Sequence, residues 1–155
     1  MARRLPAEWE AQDGVLLAWP HADSDWQDCL DQVEPVFCNI VSQISRFEQV
    51  VLVAPEPESL RAQLRAAGAQ LERVSIYAIP ANDTWARDFG PITVENDGAL
   101  QLLDFGFNGW GLKFASNHDN QISGRLHQAG VFGATPRDII GLILEGGAIE
   151  SDGKG

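Results

Sequence analysis

Apolar and polar positions follow two periods in the first half of the chain. Short apolar runs with the length of single buried strands occupy residues 15–19, 49–54 and 73–79. Helical patterns separate them: residues 31–47 carry an apolar stripe, and residues 57–68 begin with proline and end with glycine, as helices often do. This order predicts a β-α-β-α-β arrangement and therefore an α/β fold.

The first helix has the clearest signal. Asp31, followed three residues later by Glu34, predicts a capping box at its start, and Pro35 is tolerated only in the first turn. The helical spacing of the apolar residues predicts one buried face. That face consists of Val33, Val36, Phe37, Ile40, Val41, Ile44 and Phe47.

The second half of the chain has a different pattern. Two strand-like runs between residues 91 and 105 flank Asn96-Asp97-Gly98, which is a hairpin signal. Residues 138–150 predict an apolar strand, a glycine break and a second short strand. A hairpin beside strand–helix units favours a mixed sheet. A weaker helical pattern covers residues 117–130, with Ile122, Leu126 and Ala129 on one side.

The last predicted strand is followed by a turn, Asp152-Gly153, and has no partner strand. Since proteins avoid unpaired strand edges, we expect residues 1–155 to be a fragment of a longer protein. A frayed tail is the simpler alternative. Open sheet edges also favour contacts between copies of a chain, so a homo-oligomer is a further expectation.

The chain carries 22 acidic residues against 11 lysines and arginines, a net charge of −11. This charge repels nucleic-acid phosphates and favours cationic ligands, although solubility alone would explain it. Apolar runs of about five residues are too short to cross a bilayer, and no apolar segment follows the basic N-terminus, so neither a membrane nor a signal peptide is expected. Two cysteines are too few for a disulfide framework and favour the cytoplasm.

Acidic side chains follow several of the predicted strands. They are Asp83 and Asp88 in the stretch NDTWARDFGP, Asp104 at the end of the hairpin, and Glu145 before two glycines. Loops at one rim of a sheet bring such groups together, and glycines let a ligand approach the backbone closely. A pocket with two carboxylates and the ring of Trp85 suits a planar guanidinium, which has five donors in a fixed fork.

Each candidate also has an ordinary structural explanation. A loop aspartate such as Asp88 commonly accepts backbone N–H groups in its own turn, Glu145 suits an exposed turn, and Trp85 suits core packing. Arg87 points away from its neighbour Asp88 in an extended chain and is expected to pair with another carboxylate. The three histidines never reach ligand spacing with cysteine or with each other, so no metal site is expected.

Five motifs occur in order along the chain: LPAEWE (5–10), AWP (18–20), NDTWARDFGP (82–91), DFGFNGWG (104–111) and LEGGAIESDGKG (144–155). In this combination the chain resembles the agmatine deiminase family, also labelled bacterial-type peptidylarginine deiminases, within the guanidine-modifying superfamily. The resemblance implies a pentein-type α/β-propeller, with ββαβ-type blades around a pseudo-fivefold axis, of which this chain would supply about two.

The resemblance also assigns roles to residues. The aspartate matching Asp88 holds the guanidinium in that family, and the glutamate matching Glu145 belongs to the catalytic group. Asp83 and Trp85 match positions near the substrate, and Asn108 is placed with them as a substrate-binding residue because it belongs to a shared motif. The implied ligand is a small cationic guanidino compound, and no metal or organic cofactor is implied.

The implied chemistry is hydrolysis of agmatine to N-carbamoylputrescine and ammonia through a covalent cysteine adduct, with a histidine as acid and base. The family's His-x-Asp motif and its cysteine in a Gly-Gly-x-x-x-Cys context do not occur in residues 1–155. Cys29 and Cys38 lack that context and are expected to be structural, so this chain alone is expected to be inactive. Peptidyl arginine is the alternative substrate, and a non-catalytic guanidinium-binding module is the alternative of another class.

Overall fold

The computed structural model describes residues 3–154, which form two compact units. Residues 12–86 make up the first, which we call the parallel-sheet unit. Residues up to Ala11 together with those from Arg87 onward make up the second, the mixed-sheet unit. The chain passes from one unit to the other inside the stretch NDTWARDFGP.

Seven strands and two long helices supply most of the regular structure of residues 3–154. The strands are β1 (Arg3–Arg4), β2 (Gly14–Ala18), β3 (Gln49–Ala54), β4 (Val74–Ala78), β5 (Ile92–Asn96), β6 (Ala99–Gly106) and β7 (Arg137–Ile143). The long helices are α1 (Leu30–Ile44) and α2 (Pro57–Ala66). Shorter helices cover Ala86–Phe89 and Ile122–Gln128.

The parallel-sheet unit has the predicted β-α-β-α-β order. Strand β3 lies between β2 and β4 and pairs with both in parallel. A central parallel strand is apolar along its length, and Val50, Leu52 and Val53 are fully buried accordingly. Leu60 and Leu64 of α2 and Val41 of α1 join the same core.

Helix α1 forms where its spacing predicts, but the details of the prediction are wrong at two points. Its N-cap is Cys29, which makes no side-chain capping bond, so there is no capping box of Asp31 and Glu34. Asp31 lies instead within the first turn, where its negative charge interacts favourably with the helix dipole. The buried side of the helix is centred on Cys38, Val41 and Ser42, whereas three residues of the predicted stripe, Val36, Ile40 and Phe47, are exposed.

The mixed-sheet unit is built on a four-stranded sheet of order β1-β5-β6-β7. Strand β5 is antiparallel to both β1 and β6, while β6 and β7 are parallel, so the prediction of a mixed sheet is confirmed. The hairpin between β5 and β6 turns through Asp97 (φ 51°) and Gly98 (φ 83°), the two left-handed residues of a type I′ turn. The two-residue strand β1 was not predicted from the sequence.

Two other predictions in this unit need correction. Ile122 and Leu126 are fully buried as expected, but Ala129 is exposed and Ser123 takes its place on the buried side. The second short strand predicted after the glycine break does not form: Gly146–Ala148 is a 3-10 turn, and residues 149–154 contain no strand. Ser151 instead donates its hydroxyl to the Leu5 carbonyl at 2.6 Å. Residues 149–154 thus pair with no strand within residues 3–154, and a partner strand for this segment stays a prediction.

Candidate active site

Asp88 is the best anchored of the predicted site residues. It lies in the single-turn helix Ala86–Phe89, whose last residue is buried and accepts a hydrogen bond from Ser123 Oγ at its carbonyl (3.2 Å). Oδ1 of Asp88 accepts the Gly147 N–H at 2.9 Å, and Oδ2 accepts the indole N–H of Trp110 at 3.1 Å. Each carboxylate oxygen therefore has one donor, and the half-buried side chain is held in one orientation.

The two glycines after Glu145 are required by close contact with this helix. A Cβ atom on Gly146 would lie 2.1 Å from the backbone oxygen of Arg87, and one on Gly147 would lie 2.5 Å from Oδ1 of Asp88. Only glycine fits such approaches. The motifs NDTWARDFGP and LEGGAIESDGKG, 59 residues apart at this hydrogen bond, are therefore in direct contact.

Glu145 enters this contact from β7. Its backbone is extended (φ −92°, ψ 122°) and its carbonyl accepts the Ala148 N–H at 2.9 Å. The side chain is half-buried, and within residues 3–154 its carboxylate makes no hydrogen bond or ion pair. Asp88 and Glu145 thus lie on touching segments, and the carboxylate of Glu145 keeps its lone pairs for another partner.

Asn108 lies at the start of an unusual turn. Its side-chain oxygen accepts the Gly111 N–H at 2.9 Å, so it acts as the cap of that turn. The turn places Trp110 between two phenylalanine rings, with centroid distances of 5.0 Å to Phe107 and 5.9 Å to Phe114. A direct contact of Asn108 with substrate stays a prediction, whereas its structural role in holding Trp110 was not apparent from the sequence.

Asp83 and Trp85 belong to the parallel-sheet unit. Asp83 is buried and accepts the Thr84 N–H at 2.7 Å. Burial raises the pKa of this carboxyl, the Thr84 amide opposes the rise, and the nearby charge of Asp25 adds to it. The Trp85 side chain is 44% exposed, so the alternative of core packing does not apply to it.

Trp26, which was not predicted as a site residue, organises the surroundings of Trp85. The Trp26 indole donates to Thr84 Oγ1 at 2.8 Å, and the Trp26 and Trp85 rings lie 6.2 Å apart. The two tryptophans follow β2 and β4, whose carboxyl ends meet at the same edge of the parallel sheet. That edge is the signal by which Trp26 could have been found.

Two charged residues near the predicted site, Asp104 and Arg87, form ion pairs with other side chains of the protein. Asp104 is buried and accepts the Nε–H of Arg137 at 2.7 Å, so it forms a structural ion pair and is not a free site carboxylate. Arg87 pairs with Glu8 at 2.9 Å, in agreement with the expectation that it pairs with a carboxylate other than Asp88. Asp104 therefore already has a charged partner other than the predicted guanidinium.

The remaining groups of chemical interest have simple surroundings. Cys38 is buried in α1, and burial raises the pKa of its thiol, which disfavours the thiolate. Across residues 3–154, no three metal-binding side chains come together as a metal site would need. In the same range, no helix has the length and apolarity that crossing a bilayer requires.

Comparison with known proteins identifies the family. Residues 4–155 match the Porphyromonas-type peptidyl-arginine deiminase family. The chain belongs to this family. A member-like relative from Lactococcus lactis subsp. lactis, provisionally named agmatine deiminase, is 31% identical over 158 residues, which cover 98% of this chain and 42% of that protein. The chain therefore spans about two-fifths of the length of the curated relatives it matches.

Solved structures of several deiminases have the same fold as this chain. A cysteine-to-serine variant of the C. jejuni agmatine deiminase with substrate bound is 33% identical, with a TM-score of 0.87 over 99% of this chain and 44% of that one. A Porphyromonas gingivalis protein, provisionally described as an arginine deiminase, is 40% identical, with a TM-score of 0.87 over 99% and 45%. The predicted pentein-type α/β fold is confirmed, while the number of propeller blades and the roles of the site residues stay predictions.

Proposed function

We propose that the complete product of this gene hydrolytically deiminates a guanidino compound and that Asp88 holds the guanidinium. The observation that carries the proposal is the carboxylate of Asp88, oriented by Gly147 and Trp110 beside the segment of Glu145, in a chain of the deiminase family. Carboxylates in fixed positions stop a guanidinium from rotating and expose its central carbon to a nucleophile.

Agmatine is the substrate that we favour, with N-carbamoylputrescine and ammonia as products. Several relatives carry the name agmatine deiminase, among them the C. jejuni structure with substrate bound. Agmatine has a second positive charge, and the acidic side chain of Asp83, the exposed ring of Trp85 and the net charge of −11 favour a dication. These contributions of Asp83 and Trp85 are part of the proposal.

The proposed reaction proceeds through a cysteine thiolate that lies outside residues 1–155. The thiolate forms a C–S bond with the guanidinium carbon, and a C–N bond breaks as a protonated histidine gives its proton to the departing ammonia. Water then loses a proton to the same histidine and attacks the carbon. The C–S bond breaks, the ureido product leaves and the thiolate is restored. Asp88 and Glu145 orient the substrate, and no cofactor is needed.

Residues 1–155 are, in this proposal, the N-terminal portion of a single cytoplasmic catalytic domain and are inactive alone. Two observations support it: relatives are more than twice as long, and the buried Cys38 has a raised thiol pKa, unlike a nucleophile. A homo-oligomer remains part of the proposal.

Peptidyl arginine is the second candidate substrate, because the matching family is named for peptidyl-arginine deiminase and a provisionally assigned member of known structure is 42% identical to this chain. A guanidinium-binding module without catalysis is the candidate of another class. Reading the coding sequence beyond Gly155 separates the classes, since an enzyme requires the His-x-Asp and Gly-Gly-x-x-x-Cys motifs downstream.

Ammonia release by the complete product from agmatine and from a blocked arginine peptide is the decisive assay. We expect agmatine to be the better substrate and Asp88→Ala to lower kcat/KM by several orders of magnitude, because the guanidinium loses its fixed partner. The exposed Glu58 of α2 offers a matched control, and Glu58→Gln is expected to keep the wild-type rate. Preference for the peptide would favour the second candidate, no ammonia from either compound would overturn the enzyme proposal, and a normal rate for Asp88→Ala would remove Asp88 from the site.

A further inference from the structure

Trp110 lies in a backbone conformation that is rare for residues other than glycine. Four consecutive residues, Gly109 to Leu112, have φ values between 56° and 78°, with 56° at Trp110 and 65° at Leu112. A left-handed turn is costly for side chains with a Cβ atom, and such conformations persist where the surrounding structure holds them. Here Asn108 caps the turn through the Gly111 N–H, and the Leu112 N–H donates to the Asn108 carbonyl at 2.9 Å.

The turn directs the indole of Trp110 to a single polar partner, the Oδ2 atom of Asp88. Phe107 and Phe114 pack edge-on against the indole ring and fix its plane. A Cβ atom on Gly109 would lie 2.2 Å from the Phe114 carbonyl, so the glycine lets the turn close upon itself. The left-handed backbone and the aromatic contacts together hold the Trp110 indole in the position from which it donates to Asp88.

The distribution of donors on Asp88 has a consequence for ligand binding. An ionised carboxylate has about four lone-pair positions, two on each oxygen. Within residues 3–154, Gly147 occupies one on Oδ1 and Trp110 one on Oδ2, which leaves one on each oxygen. Two parallel acceptors of this kind match the paired N–H groups of a guanidinium, and one donor on each oxygen opposes rotation of the carboxylate about its Cβ–Cγ bond.

We propose that Trp110 is a positioning residue: its indole N–H, opposite the Gly147 N–H, fixes the Asp88 carboxylate so that both oxygens face the guanidinium together. This inference rests on the proposed function and adds to it a residue that need not touch the substrate. It also gives the motif DFGFNGWG a purpose, since its asparagine and glycines build the turn that carries the tryptophan.

Replacing only the N–H group tests the proposal. In the complete gene product, β-(3-benzothienyl)alanine at position 110 has nearly the shape of tryptophan but carries sulfur in place of N–H. Trp110→Phe removes the donor by ordinary mutagenesis and keeps an aromatic ring. Trp9, which is 77% exposed and makes no hydrogen bond through its indole within residues 3–154, is the control position for the same two replacements.

We expect both replacements at position 110 to lower kcat/KM for agmatine by roughly ten- to hundredfold, because the carboxylate is no longer held in its productive position. The isostere keeps the packing with Phe107 and Phe114, so its melting temperature is expected to equal that of the wild type, which separates positioning from a structural role. Neither replacement at Trp9 is expected to change kcat/KM.

Three results would overturn the proposal. A benzothienyl variant with wild-type kcat/KM would show that the N–H does not position Asp88, while leaving the proposed function intact. A loss of activity matched by an equal loss at Trp9, or by a lowered melting temperature of the isostere, would indicate a structural effect. A wild-type product that releases no ammonia would refute the proposed function, and the positioning role with it.

Discussion

Replacing Gly147 by alanine tests whether the position of the Asp88 carboxylate controls activity. The new Cβ atom would lie 2.5 Å from Oδ1 of Asp88, and Cβ atoms in proteins almost never approach another heavy atom closer than 3.0 Å. One of the two groups therefore has to move by about 1 Å, with a cost of about 1 kcal/mol in the free energy of unfolding, because Gly147 is exposed and can yield. A positioning group displaced by about 1 Å costs roughly a hundredfold in rate. We expect kcat/KM for agmatine to fall by about that factor.

Steady-state ammonia release and chemical denaturation of the same preparations of the complete product give both quantities. Gly141→Ala in β7 is the matched control, since a Cβ atom there has no neighbour within 4 Å, and we expect it to change neither quantity. Gly146→Ala provides a contrast: its Cβ would lie 2.1 Å from a backbone oxygen, which cannot rotate away, so the free energy of unfolding should fall by about 3 kcal/mol. Wild-type kcat/KM in Gly147→Ala would refute the reasoning.

Two further predictions concern buried acids. Asp104→Asn leaves Arg137 without its counter-charge. Because the side chains of Asp104 and Arg137 are only 8% and 20% exposed, we expect the free energy of unfolding to fall by about 3 kcal/mol in chemical denaturation. A loss no larger than that caused by Asp138→Asn at an exposed position would contradict this. Burial raises the pKa of Asp83 above 3.8, so as the pH rises the unfolded chain loses this proton before the folded chain does. The free energy of unfolding of the wild type should therefore decrease as the pH rises from about 4 through the raised pKa. Asp83→Asn should lack this loss, and parallel stability curves for the two proteins would disprove it.

The sequence predicted the elements whose signals are local. Strands β2, β3 and β4 and helices α1 and α2 lie within one or a few residues of their predicted positions, because buried strands and amphipathic helices carry their pattern in consecutive residues. The type I′ hairpin at Asp97-Gly98 was equally readable from two residues. These elements account for most of the parallel-sheet unit and for the centre of the mixed sheet.

What the sequence could not show depends on contacts between distant residues. The segment predicted as a strand after Gly147 has distant partners of another kind: the Ile149 carbonyl accepts a hydrogen bond from Arg87, and the Ser151 hydroxyl donates one to the Leu5 carbonyl. Strand β1 exists only through its pairing with β5, and two residues carry no pattern of their own. Asp104 was predicted to be a candidate site carboxylate because its contact with Arg137, 33 residues further along the chain, leaves no sign in the sequence.

The candidate site divides in the same way. Asp88, Glu145 and the glycine pair were named from their motifs, and their roles in catalysis stay predictions. The hydrogen bond from Trp110 to Asp88 could not be predicted, because it depends on a positive φ at tryptophan, which the sequence DFGFNGWG does not indicate. Trp26 was hidden because its partner Thr84 is 58 residues away.

The two donors that orient Asp88 come from residues 22 and 59 positions further along the chain. Closing such distances costs chain entropy that local helices and a tight hairpin do not require, so we expect these two contacts to form later during folding. In a refolding experiment the far-ultraviolet signal should therefore recover before the capacity to retain a guanidinium. The rate at which guanidinium binding recovers would then be determined by docking of the segments that carry Trp110 and Gly147, and not by formation of the first helix.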